Sequence, residues 1–310
     1  MPPFPRAARD TYLIDARMYS IPGFLSVYWI AAEKPALVEA GPATSAPAIL
    51  EGIRALGFNP QEAAYIFVSH LHMDHYGGAG HLLQEMPRAR VVIHQRSARH
   101  LVDPSRIISA ILQSEGEEWL RRDGAPSPVP PDRLVAIQGE ESFDLGDGHR
   151  VRVVLTPGHD PSEVSYLDEG TGALFPGDTL GIYFLEEGAM LPHSPAPNYN
   201  LDQTLAAIDQ LLALPLRAIL MPHYGATRQA KGTLRRSRTA FLRFAGIMER
   251  AFQEQSPDQG MGALRQAAEV ELAPVRENHP QLYKFLMGPL LSTSQRGLWG
   301  YWEKKAGGAA

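Results

Sequence analysis

Short apolar runs, four to six residues long and each closed by Pro, Gly or a polar cluster, recur up to about residue 230 and alternate with stretches of helical spacing. The runs predict strands over Thr11–Ile14, Ser26–Ala31, Ala36–Glu39, Tyr65–Ser69, Arg90–His94, Arg150–Leu155, Gly172–Phe175 and Arg217–Met221. Between them, helices are expected over Ser45–Leu56, Gly77–Glu85, Ser97–Leu101, Pro104–Arg121 and Leu201–Leu214. Thr44 or Ser45 is the expected cap of the first helix and Asn200 of the last. Strands interleaved with helices give an α/β class. The Pro-rich stretch GAPSPVPPD (124–132) follows a helical segment that reads as an insertion over 104–132, a placement typical of lids and pocket walls.

After Gly232 the strand pattern stops. Leu234, Phe241, Phe244, Ile247, Met248 and Phe252 recur at helical spacing, and further helical pieces follow around Met261–Val270 and Pro280–Leu291. The expected organisation is therefore a main domain over 1–232 and a helical appendage over 233–310. The aromatic group Trp299, Tyr301 and Trp302 in that appendage is read as packing against the core or a second subunit.

Composition narrows the function. Net charge is −5, which gives no global pull toward nucleic acid or an anionic membrane. The one basic run, KGTLRRSR (231–238), reads as a solvated helix turn. With no cysteine, disulfides and thiolate zinc sites are excluded, so any metal must be held by His and carboxylates. No run of about 18 apolar residues is present and the first residues lack an apolar leader, so a cytoplasmic protein is expected.

Against that background, SHLHMDHYGG (69–78) stands out. His70, His72, Asp74 and His75 fall within six residues just past a strand, and Gly77 and Gly78 permit a tight turn and close backbone approach. Imidazole and carboxylate are the donors a borderline divalent ion takes. Other strands end in the same way: TPGH delivers His159, PGD delivers Asp178 and PHYG delivers His223. Loops at strand ends are where α/β folds assemble their sites.

The series HxHxDH, TPGH, GD and PHYG, in this order, resembles the metallo-β-lactamase-fold hydrolase superfamily over roughly residues 12–230, and its glyoxalase II-like branch most. The resemblance implies a four-layer αββα metallo-β-lactamase-like sandwich plus a C-terminal helical region. It implies that His70, His72 and His159 hold one ion, that Asp74, His75 and His223 hold a second, and that Asp178 bridges them. Zinc is the expected pair, with iron or manganese as alternatives. In such a site the ions lie about 3.5–4 Å apart and share a bridging hydroxide, formed because metal lowers the pKa of water toward about 7. Asp74 would then orient the nucleophile and carry a proton to the leaving group. VEAGP (38–42) is similar to the family's first motif, with Glu39 where Asp is usual, in a role supporting the site from behind.

Four further positions are weaker. Tyr183 and Tyr224 could donate to a developing oxyanion, or simply pack their rings. His193, in LPHSPAPNYN, is a loop histidine or a substrate contact. His81, His94, His100, His149 and His279 lie in no motif and are read as structural. The function expected is a metal-dependent hydrolase cleaving a thioester, lactone or phosphoester in a small-molecule substrate, with no nucleic-acid or membrane partner and with room for a homo-oligomer. The alternative is a mononuclear iron, persulfide dioxygenase-like oxidoreductase. Iron-pair oxidoreductases of this fold carry Glu where this chain has His72, which argues against them.

Overall fold

The computed structural model describes residues 6–114, 116–184 and 188–307. Fifteen strands occur among them: β1 (Arg6–Ala8), β2 (Thr11–Asp15), β3 (Ser26–Ile30), β4 (Ala36–Val38), β5 (Tyr65–Phe67), β6 (Arg90–His94), β7 (Leu134–Ile137), β8 (Ser142–Gly146), β9 (His149–Leu155), β10 (Val164–Asp168), β11 (Ala173–Phe175), β12 (Ile182–Phe184), β13 (Ala189–Leu191), β14 (Ala218–Met221) and β15 (Gly225–Thr227). The chain packs as two units, and they do not follow chain order. One unit holds the residues up to Leu155 together with Val164–Gly177 and Arg217–Thr227; the other holds Thr156–Glu163, Asp178–Leu216 and the residues from Arg228 onward.

The first unit contains two sheets. One runs β1-β2-β3-β4-β5-β6-β7 and the other β15-β14-β11-β10-β9-β8. Strands β4 to β7 are parallel neighbours, so each connection must cross over, and those crossovers carry the helices α1 (Ala46–Ala55), α2 (Met73–Tyr76), α3 (Ala79–Leu82), α4 (Gln95–Val102), α5 (Ser105–Ser114) and α6 (Glu117–Asp123). The second sheet is antiparallel apart from β11 beside β14. Its hairpin between β8 and β9 turns at Asp147 (φ 52°) and Gly148 (φ 76°).

The core lies between the sheets. Tyr28, Val38, Phe67 and Val92 from one face Val153, Tyr166, Phe175 and Leu220 from the other, all buried. Each such side chain contributes roughly 1.5–3 kcal/mol of burial. Two tyrosines also tie the sheets by hydrogen bonds: the Tyr166 hydroxyl donates to the Val68 carbonyl (2.8 Å), and the Tyr28 hydroxyl lies 2.7 Å from the Met221 carbonyl and 2.8 Å from that of Gly225. The expected sandwich is present. Its α1 packs on β2 through Gly52, where any side chain would collide with Ile14.

Several elements differ from expectation. The helix read over Gly77–Glu85 shrinks to the single turn α3, and a separate turn, α2, precedes it from Met73. The helix read over Pro104–Arg121 breaks at Gly116, whose φ of 85° a helix cannot contain. Ser45 stands at the α1 cap position but makes no capping bond, and the Thr44 hydroxyl donates instead to the Arg122 carbonyl.

The second unit holds the two-stranded ribbon of β12 and β13, α7 (Leu201–Leu212), and a C-terminal helical region: α8 (Ala230–Gln253), α9 (Pro257–Glu271), α10 (Ala273–Asn278), α11 (Pro280–Phe285) and α12 (Leu291–Gly307). Asn200 caps α7, its side chain accepting from Gln203 N (3.0 Å). Leu234, Phe241, Phe244 and Met248 form the buried stripe of α8, as the spacing predicts. No helix among the described residues is long and apolar enough to cross a membrane.

Candidate metal centre

Five of the expected ligands belong to the first unit. Strand β5 ends at Phe67, and the chain then passes through Val68 and Ser69 to His70. His72, in extended conformation, precedes α2, and its carbonyl accepts from His75 N (2.9 Å). That single turn carries Asp74 and His75. Gly77 and Gly78 then meet the 40–43 loop so closely that a Cβ at Gly78 would strike the Ala40 carbonyl. The loop is bound there: Ala40 N donates to the His75 carbonyl (2.9 Å) and Gly78 N to that of Gly41 (2.8 Å). His223 comes from the far end of the sequence, in the turn between β14 and β15 that Tyr28 holds.

These elements converge. The Asp74, His75 and His223 donor atoms all lie within 4.8 Å of one another. Asp74 Oδ2 is 3.5 Å from His223 Nε2 and 3.7 Å from His75 Nε2. Glu39 stands behind: its Oε1 is 3.4 Å from His75 Nδ1, and its other oxygen accepts from Ser69 N (3.4 Å). A carboxylate facing Nδ1 favours the tautomer with its proton there and the Nε2 lone pair toward Asp74 and His223. The Glu39 backbone has φ 66°, a left-handed geometry unusual for a side-chain-bearing residue. His70 Nε2 and His72 Nδ1 face each other at 2.8 Å, and the Ser69 hydroxyl lies 2.9 Å from His70 Nδ1. Histidines, a carboxylate and no thiol form a donor set that fits a divalent metal ion.

The second unit holds His159 and Asp178, with His159 Nε2 3.5 Å from Asp178 Oδ2. His159 Nδ1 lies 3.3 Å from the His193 carbonyl, which can only accept; that fixes the proton on Nδ1 and leaves Nε2 the lone pair. Gly158 has φ 145°, and a Cβ there would collide with Thr204. Glu163 braces Asp178, its Oε1 accepting from Asp178 N (2.6 Å).

The weaker positions separate. His193 is buried, and its Nδ1 lies 2.9 Å from the Ser294 hydroxyl on α12. The Tyr183 hydroxyl accepts from Arg236 Nη1 (3.1 Å), and Tyr224 packs against the core between the sheets. Of the histidines read as structural, His149 is buried against Asp168 and His94 caps α4.

Sequence reasoning missed Ser69 and Glu163, although each stands beside a ligand motif. It also missed a cluster built on residues far apart in sequence. The Arg122 guanidinium lies 4.2 Å from the ring centres of both Tyr19 and Trp119. Beside it, burial raises the Asp123 carboxyl to about 6; the nearby Asp74 charge adds to the rise, and the Tyr19 hydrogen bond opposes it. Phe24, in the same loop as Tyr19, contacts the His223 ring at 5.8 Å between centres.

Similarity to known proteins points to one superfamily. Protein ST1585 of Sulfurisphaera tokodaii, described as metallo-beta-lactamase fold-containing, is 27% identical over 221 residues, 70% of this chain and 79% of that protein. A hydroxyacylglutathione hydrolase of Synechococcus is 30% identical over 174 residues, 56% of this chain; the match spans about half of that enzyme (52%). Among solved structures, the metallo-beta-lactamase family protein TTHA1429 of Thermus thermophilus has the same fold, with a TM-score of 0.69 at 19% identity over 96% of this chain and 94% of that one. The model of the metallo-beta-lactamase superfamily matches residues 21–223, a span that includes every candidate ligand described above, and the chain belongs to that superfamily.

Proposed function

We propose that this protein is a dinuclear metal-dependent hydrolase that cleaves an ester-like bond, a thioester, lactone or phosphoester, in a small-molecule substrate. The observation that carries the reading is the Asp74–His75–His223 group, its two histidines buried and Asp74 half-buried, with Glu39 behind it, a donor set with its supporting carboxylate in place. On this reading His70, His72 and His159 would hold one ion and Asp74, His75 and His223 the other, with Asp178 completing the donor set. Zinc suits these donors best, with manganese or iron as alternatives. Two bound divalent ions supply Lewis acidity toward a carbonyl or phosphoryl oxygen and lower the pKa of water.

The chain's own residues do the rest. Glu39 keeps the His75 proton on Nδ1, and the His193 carbonyl does the same for His159. The Asp74 carboxylate takes a proton from the attacking water and returns it to the departing thiolate or alkoxide. The test is metal content per chain, by elemental analysis of protein expressed without supplement, followed by a panel of thioester, lactone and phosphodiester substrates. Two zinc or manganese ions with turnover on one ester class is the expected result. One iron per chain with oxygen uptake on a persulfide would overturn it in favour of the dioxygenase-like alternative.

A further inference from the structure

A cavity of about 280 Å³ opens in the second unit against α8, lined by Arg235, Arg236 and Arg243, with Glu271 of α9 and an apolar floor of Met190 and Ala240. Glu271 is split between two of the arginines: its Oε2 accepts from Arg236 (3.2 Å) and its Oε1 from Arg243 (2.9 Å). The Arg235 side chain has no ion pair or hydrogen bond among the described residues. Among the described lining residues, three guanidiniums against one carboxylate leave a surplus of two positive charges. The neighbouring Arg238 shows the other arrangement, closed off by two hydrogen bonds to Asp209 (2.8 and 3.1 Å).

We propose that this cavity binds the dianionic head of a small organic phosphate monoester. The charge surplus matches a phosphate dianion, and guanidinium forks fit its oxygens in pairs. Arg236 and Arg243 each spend only some of their five N–H donors on Glu271, and Arg235 spends none, so donors remain for a ligand. The Met190 and Ala240 floor suits an apolar or neutral body beyond the head, which inorganic phosphate lacks. The site is separate from the proposed metal ligands and needs no metal.

The experiment is calorimetric titration of the full-length protein with phenyl phosphate, inorganic phosphate and a short single-stranded RNA, each repeated with Arg235→Ala and Arg235→Lys and after chelation. Phenyl phosphate should bind at least fivefold more tightly than inorganic phosphate and survive chelation. Arg235→Ala should weaken it at least fivefold, Arg235→Lys by less, with the melting temperature unchanged. Added salt should weaken it further, since the cavity is open to solvent. Binding that ignores Arg235 and vanishes on chelation would place the phosphate at the metal ligands and overturn the proposal. So would Arg235-dependent binding of RNA without phenyl phosphate, which would make α8 a polynucleotide track, or no binding of any of the three.

Discussion

Two buried histidine–carboxylate pairs stand at opposite ends of β10, and they are built differently. At one end His149 Nδ1 and Asp168 Oδ2 lie 2.7 Å apart. Asp168 is saturated: it also accepts from the Thr171 hydroxyl (2.6 Å), Gly170 N (3.1 Å) and Arg150 N (3.2 Å). At the other end, beside Ser69, whose carbonyl pairs with Val164, His75 and Glu39 are 3.4 Å apart, and further imidazoles and Asp74 gather round. A carboxylate whose lone pairs are all used fixes a turn. One that backs a histidine whose other nitrogen points at more donors orients a ligand. Partner count and convergence separate the two roles better than burial does, since both pairs are buried.

That distinction can be broken experimentally. Asp74→Ala should lower turnover about 10³-fold while leaving the urea midpoint of metal-free protein close to wild type. Asp168→Ala should do the reverse, costing roughly 3–5 kcal/mol in urea unfolding because His149 loses its buried partner, with metal content unchanged. Equal phenotypes for the two would sink the comparison. Asp168 also sets an acid limit. Burial alone would raise its pKa, but hydrogen bonds from His149 and Thr171 outweigh that and hold it below the usual carboxylate value. Its stabilisation is therefore complete above the unfolded pKa near 4 and is lost as pH falls through the lower folded value, a loss that Asp168→Asn should not show in acid titrations.

Smaller effects sharpen the picture. Glu39→Gln keeps an acceptor but removes the charge behind His75; metal affinity should fall about 10- to 100-fold in competition with a chelator, with the fold intact. In the second unit, Ser294→Ala removes the hydroxyl against His193 and should cost about 1 kcal/mol of stability in urea unfolding. Tyr183→Phe should change kcat/KM by less than about threefold if its hydroxyl serves only Arg236, since a lost oxyanion donor costs about 10²-fold or more. A larger loss would return Tyr183 to the chemistry.

Much of the sandwich was legible because its central strands are apolar runs cut off by Pro or Gly. Arg90–His94 is observed as expected, and the stretch before each ligand is a strand. Strands β1, β7, β8, β10, β12, β13 and β15 were not anticipated. All are short, at three to five residues, and in β8, SFDLG, polar residues interrupt the run. The β8–β9 hairpin did carry a signal, the Asp147–Gly148 turn, that hydrophobic pattern alone passes over. The motifs that supply the candidate ligands were legible because each is local. The left-handed backbone at Glu39, the Ser294 contact to His193 and the Arg122 stack on Tyr19 were not, because each depends on segments brought together only by folding.

The turn that carries His223 has a consequence for biosynthesis. Tyr28 near the start of the chain waits for carbonyls 193 and 197 residues downstream, and Asp74 and His75 wait for His223 in the same way. Contacts this distant in sequence form late, after the loop between them has closed. A nascent chain still short of residue 223 can expose HxHxDH but cannot complete this group of three. On the proposed reading, an ion held by these three residues would be captured only once the sandwich has closed.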